Sequence, residues 1–127
     1  MSSPPRPTDA ELEILAVLWS RGPSTVRDVH AAINKRRPAQ YSTVLKFLQI
    51  MAEKGLVRRD EEPRAHVYQA ARPREWTQRQ LAGDLLQRGF NGSAKSLMMG
   101  ALSARKASKE ELAEMRRLLD EYEKREK

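Results

Sequence analysis

Three breaks divide residues 1–55 into stretches of helix length: Gly22-Pro23, Pro38 and Gly55. Proline cannot continue a helix, and glycine is favoured just past a helix end. Each stretch therefore folds as a separate helix. The first opens at Thr8, with Glu11 at capping-box spacing. Leu12, Leu15 and Trp19 mark its apolar stripe, with Ile14 and Leu18 beside them. The second opens at Ser24 or Thr25, either of which can cap it. Val26, Val29, His30 and Ile33 form its inward stripe, Arg27 and Asp28 face outward, and it closes through Lys35-Arg36-Arg37 before Pro38. The third runs from Gln40 to Lys54. Its Val44, Phe47, Leu48 and Met51 recur at i, i+3, i+4 and i+7, and Ser42, Lys46, Gln49 and Glu53 repeat on the other face.

After Gly55 the period changes. Leu56 and Val57 begin a strand, Asp60 to Pro63 make a turn, and Ala65 to Gln69 return, with the strand formers Val67 and Tyr68. Helix, helix, helix and hairpin, in that order, describe a winged helix-turn-helix. In that motif the third helix buries one face and offers the other to the DNA major groove. The groove face is then Gln40, Ser42, Thr43, Leu45, Lys46 and Gln49. Gln49 can pair with an adenine edge and Lys46 can reach guanine or phosphate. Ser42 and Thr43 can donate to phosphate oxygens, and Leu45 can touch a thymine methyl. Arg58, Arg59 and Arg64 of the hairpin are long cations suited to the flanking backbone or minor groove. The plainer alternative is a solvated helix face beside a solvated turn.

Composition agrees with a polyanion partner. The net charge is +7 and the pI about 10.1, although such an excess is shared by many proteins. Residues 1–72 carry 12 Lys or Arg against 8 Asp or Glu, and residues 73–127 carry 12 against 9. The excess is spread along the chain, so geometry carries the argument more than total charge does. With 32% charged residues and a mean hydropathy of −0.73, the core is thin. Some apolar surface is expected to be buried against a partner. There is no cysteine, which removes disulfides and thiolate metal sites and suits a reducing cytosol. His30 and His66 lie in different elements without further ligands at metal-binding spacing, so no metal and no cofactor is expected. Neither a phosphate-binding glycine loop nor a nucleophile elbow is present, and the chain does not read as an enzyme. No apolar run approaches the ~18 residues of a membrane span, so membrane insertion is not expected. Residues 1–7, with Pro4, Pro5 and Pro7, lack the apolar stretch of a secretory signal and read as a disordered tail.

Residues 8–72 are thus read as the DNA-binding domain and residues 73–127 as a helical dimerisation domain, mainly α throughout. The second segment holds three short helical patterns. Trp76, Leu85 and Leu86 belong to the first, and Leu97 and Met98 to the second. The third opens with Ser108 and Glu111 at capping-box spacing, and its Leu112, Met115, Leu119 and Tyr122 repeat at a coiled-coil-like interval. So short a segment has too little interior to close a core alone. It either folds back on the first domain or packs against the same arm of a second chain, and the homodimer is the preferred reading.

The stretches TDAELEILAVLW, TVRDVHAAI, YSTVLKFLQIMAEKGLV and RAHVYQA, followed by GFNGSAKSLMMGAL and SKEELAEMRRLLDE, resemble the BlaI/MecI/CopY family of penicillinase-type repressors. The resemblance runs in order from about Thr8 to Tyr122. It implies a cytoplasmic, dimeric winged-helix transcriptional repressor acting on palindromic operators in double-stranded DNA. In the β-lactamase branch it implies release when a membrane sensor-protease partner triggers cleavage in the C-terminal arm, a circuit of antibiotic resistance. The copper-responsive branch needs a cysteine motif that this chain lacks. Two departures stand out. The Asn-Phe cleavage dipeptide is replaced near Gly100 and Ala101, and Ile50 occupies a position where members often carry Arg. The rival reading is a winged-helix protein-interaction module that uses the third helix as a docking face. An RNA-binding winged helix is a further alternative.

Overall fold

The computed structural model describes residues 6–61 and 66–126. Most of the tail read at residues 1–7, together with Arg64 of the hairpin, lies outside the described residues. The order is α1 (Asp9–Arg21), β1 (Ser24–Thr25), α2 (Val26–Arg36), α3 (Tyr41–Lys54), β2 (Val57–Glu61), β3 (His66–Ala70), α4 (Arg74–Gly89), α5 (Ala94–Ala104) and α6 (Lys109–Arg125). The chain forms two compact units that divide within α4, after Ala82.

The first unit is a winged helix. Thr8 and Glu11 close the capping box of α1, and Thr25 and Asp28 close that of α2. Gly55, at φ 81°, ends α3 in the left-handed conformation that only glycine adopts without strain. Ile14, Leu15 and Leu18 of α1, Val29 and Ile33 of α2 and Val44, Leu48 and Met51 of α3 are buried together with Val57 and Tyr68 of the sheet. Leu12, Trp19 and Phe47, read from the period as inward, are only half-buried at the margin of this core. His30 is also half-buried, because its ring turns toward the α2–α3 connection.

The sheet differs from the hairpin read in the sequence. It has three strands in the order β1-β3-β2, with Ser24 opposite Tyr68 and Thr25 opposite Val67. Asp60 belongs to strand β2, opposite Val67, and not to the turn; the hairpin pairing continues to Glu61 and His66. Capping Thr25 is thus also a strand residue, and β1 covers the edge of β3 that would otherwise stay unpaired.

Glu11 does more than cap. It is 2% exposed, and its carboxylate accepts from the Thr8 backbone N–H (2.9 Å) and from Lys54 Nζ at the end of α3 (2.9 and 3.2 Å). Burial alone pushes this carboxyl up. The Thr8 amide and the Lys54 ammonium outweigh that and hold it below the usual glutamate range. This pair ties the start of α1 to the end of α3.

The start of α4 is held to the first unit by aromatic and arginine side chains. Trp19 Nε1 donates to the Arg72 carbonyl (3.0 Å), Arg74 lies 5.8 Å over the Trp19 ring, and Arg72 lies 4.8 Å over Trp76. Such cation–π contacts are worth about 0.5–1 kcal/mol each at exposed sites.

In the second unit no described residue is buried. Ser93 caps α5 and Ser108 caps α6, each accepting one backbone N–H. The Phe90 ring packs on Gly100, where an added Cβ would come within 3.3 Å of it. Leu85, Met98, Met99, Leu102, Leu118, Leu119 and Tyr122 are exposed.

Candidate nucleic-acid interface

The third helix presents two chemically distinct faces. Val44, Leu48 and Met51 point into the core, whereas Gln40, Ser42, Thr43, Lys46 and Gln49 are exposed. Leu45 and Ile50 are half-buried at the border between the faces. An outward helix face with hydroxyl, amide and ammonium groups at helical spacing can meet base edges and phosphates together. Glu53 is exposed farther along the same helix and shares a depression with Gln49 and Arg59. A carboxylate there repels phosphate, so the part of α3 beyond Gln49 suits a polyanion less than the part before it.

The two hairpin arginines separate. Strand alternation sends Val57, Arg59 and Tyr68 to one sheet face and Arg58 and Gln69 to the other. Arg59 joins Leu45 and Gln49 along a groove of about 680 Å³ between α3, the first turn of α2 and the sheet. Arg58 instead shares a surface depression with Gln69, Trp19 and Arg72. Arg59 also contacts Glu61 at 3.5 Å, an exposed pair that a phosphate could displace at little cost.

Residues that the sequence reading left out complete the groove: Arg27 of α2, Tyr41 at the start of α3 and His66 of β3. In sequence Arg27 is only an outward-facing residue of the second helix. Its approach to α3 depends on how the helices pack, and no local spacing signals it. Asp28 also reaches the groove, but its carboxylate is engaged by the Thr25 N–H (3.1 Å) and lies 3.8 Å from Arg21. The Thr25 backbone and hydroxyl hydrogen bonds hold it below the usual aspartate range.

The residues read as a dimerisation surface also separate. Trp76 lies in the first unit under Arg72, while Leu85, Leu86, Leu97, Met98, Leu112, Met115, Leu119 and Tyr122 lie in the second. Leu86, Leu97, Leu112 and Met115 are half-buried there, and Leu85, Met98, Leu119 and Tyr122 are exposed. Met99, Leu102 and Leu118 are further exposed apolar side chains of that unit. Among the described residues, no helix is long and apolar enough to cross a membrane.

A sequence profile of penicillinase repressors matches residues 7–121. Over 61 residues the chain is 46% identical to the transcriptional regulator BlaI of Mycobacterium tuberculosis, an alignment covering 47% of this chain and 44% of that protein. The chain thus spans less than half the length of that relative. Over 127 residues it is 26% identical to the penicillinase repressor of Bacillus licheniformis, covering 100% of this chain and 99% of that one. Among solved structures it resembles the DNA-binding domain of the repressor BlaI, with 26% identity and a TM-score of 0.52 over 58% of this chain and 90% of that one. It also resembles the monomeric form of Bacillus licheniformis BlaI in complex with the blaP half-operator, with 25% identity and a TM-score of 0.51 over 59% and 92%.

Proposed function

The chain belongs to the penicillinase repressor family, and from that premise we propose that it is a homodimeric transcriptional repressor whose two winged helices read the half-sites of a palindromic operator. The observation that carries this reading is the exposure of Ser42, Thr43, Lys46 and Gln49 on a helix whose opposite side is locked into the core by Val44, Leu48 and Met51. In this reading Lys46 and Gln49 contact bases. Gln40, Ser42, Thr43, Arg58, Arg59 and Arg64 serve the sugar-phosphate backbone, and Leu45 meets a thymine methyl. Residues 8–72 serve DNA binding and residues 73–127 dimerisation, with residues 74–82 of α4 belonging to the first compact unit, in the cytoplasm.

Dimerisation is supported by the second unit, which buries none of its described residues and leaves Leu118, Leu119 and Tyr122 of α6 exposed. An apolar stripe of this kind is stabilised by a matching stripe on a second chain. Two heads would then meet half-sites about one helical turn apart, or a multiple of that. Release by a membrane sensor-protease partner, through a cut in the C-terminal arm, is the inactivation we propose. The family supports this, although the comparable region near Gly100 and Ala101 does not carry the Asn-Phe dipeptide.

Selection of duplexes from a randomised pool tests the reading. The full chain is expected to enrich a palindromic motif, with affinity falling steeply as salt rises because each phosphate contact releases counterions. Gln49→Ala is expected to lose about 1–3 kcal/mol of discrimination at one base pair of each half-site while keeping its affinity for random duplex. A chain that enriches nothing and binds duplex independently of salt would contradict the proposal.

A further inference from the structure

Ala39, one residue before the N-cap of α3, is gripped at both ends of its backbone by side chains of α2. Its N–H donates to Asn34 Oδ1 at 3.0 Å, and its carbonyl lies 2.7 Å from His30 Nε2. A carbonyl only accepts, so that ring nitrogen carries the proton and donates. The same imidazole meets the Tyr41 ring edge-on, with centroids 5.8 Å apart at 74°. Gln40, the N-cap, supplies no side-chain hydrogen bond of its own. The bracket from α2 therefore sets how α3 begins.

Tyr41 is the first residue of that helix and is 48% exposed, so its ring, met edge-on by His30, stays open to a partner. It lines the groove that also takes Arg27 and Arg59, two guanidinium groups from different elements, beside the Asp28 carboxylate that Thr25 and Arg21 already engage. Two such cations beside a phenol suit a phosphodiester backbone better than a base edge.

From this juxtaposition we infer that Tyr41 is a further DNA-contacting residue, its hydroxyl donating to a phosphate oxygen of the strand in the groove, with His30 and Asn34 as the positioning residues that hold it there. The inference rests on the DNA-binding reading above. The contact carries no sequence information, so its loss weakens all duplexes alike.

Fluorescence anisotropy of the full chain on a selected and a random duplex tests this, with Tyr41→Phe, His30→Ala, His30→Gln and the Tyr41→Phe/His30→Ala double variant. Tyr41→Phe is expected to weaken both duplexes about tenfold, the scale of one hydrogen bond to a charged acceptor. His30→Ala is expected to weaken both to a similar extent, and the double variant no further, because the two residues act through one contact. His30→Gln restores an N–H donor and is expected to bind near the parent. Tyr41→Phe binding like the parent, or losses that add in the double variant, would overturn the inference. Gln49→Ala run alongside separates the two levels. If it loses base preference while Tyr41→Phe changes nothing, only this inference falls. If the parent binds no duplex, the DNA-binding reading falls and takes this inference with it.

Discussion

Glu11→Ala is expected to destabilise the winged helix by about 3 kcal/mol, near the lower end for breaking a buried ion pair because Lys54 keeps a third of its side chain in water. The substitution leaves the Thr8 N–H without its partner and the Lys54 ammonium without its counter-charge at the junction of α1 and α3. Domains of this kind are stable by only about 5–15 kcal/mol, so the loss is a large fraction of the whole. Chemical denaturation at neutral pH measures it. The pH dependence has a definite sign. Because the folded carboxyl lies below the usual glutamate range, its contribution is complete above about pH 5 and disappears as pH falls through the lowered folded value. Glu11→Gln keeps an acceptor for Thr8 but cannot ionise. It is expected to cost less than alanine at pH 7 and to lack Glu11's share of the acid loss. Parent and Glu11→Gln losing stability identically between pH 6 and 3 would refute the linkage.

The second large effect concerns assembly. Leu119 is 54% exposed on α6 between Met115 and Tyr122. On the proposed dimer that surface is covered by the partner, and Leu119→Asp sets a carboxylate against its own copy in an apolar seam. The variant is expected to sediment as a monomer at micromolar concentration and to lose on the order of 100-fold in affinity for the two-half-site duplex, the scale of lost bivalency. Its affinity for a single half-site should not change. A parent chain that sediments as a monomer, or a variant that dimerises as the parent does, would overturn the assembly.

The three helices and the wing were legible because punctuation and period are local. Gly22-Pro23 and Gly55 mark ends that the structure places within a residue, and Val44, Leu48 and Met51 turn inward as their spacing requires. What was not legible depends on distant partners. Ser24–Thr25 is too short to carry a period and becomes a strand only because Val67 and Tyr68 lie beside it. Glu11 reads as a cap, but its burial depends on Lys54, a residue of another helix. Arg58 and Arg59 look alike in sequence, yet the register sends them to opposite faces of the sheet. The role of Tyr41 is not legible locally, because its neighbour His30 lies across a turn, where neither helical nor strand spacing connects them.

The claim on which the rest depends is that the outward face of α3 enters the major groove. Substituting 7-deazapurines one at a time into a selected duplex tests it most directly, because each removes an N7 acceptor from that groove alone. The expected result is a loss of binding at defined purines in each half-site, with one loss vanishing in Gln49→Ala and another in Lys46→Ala. Binding that is indifferent to every substitution, or losses that persist unchanged in both variants, would contradict it.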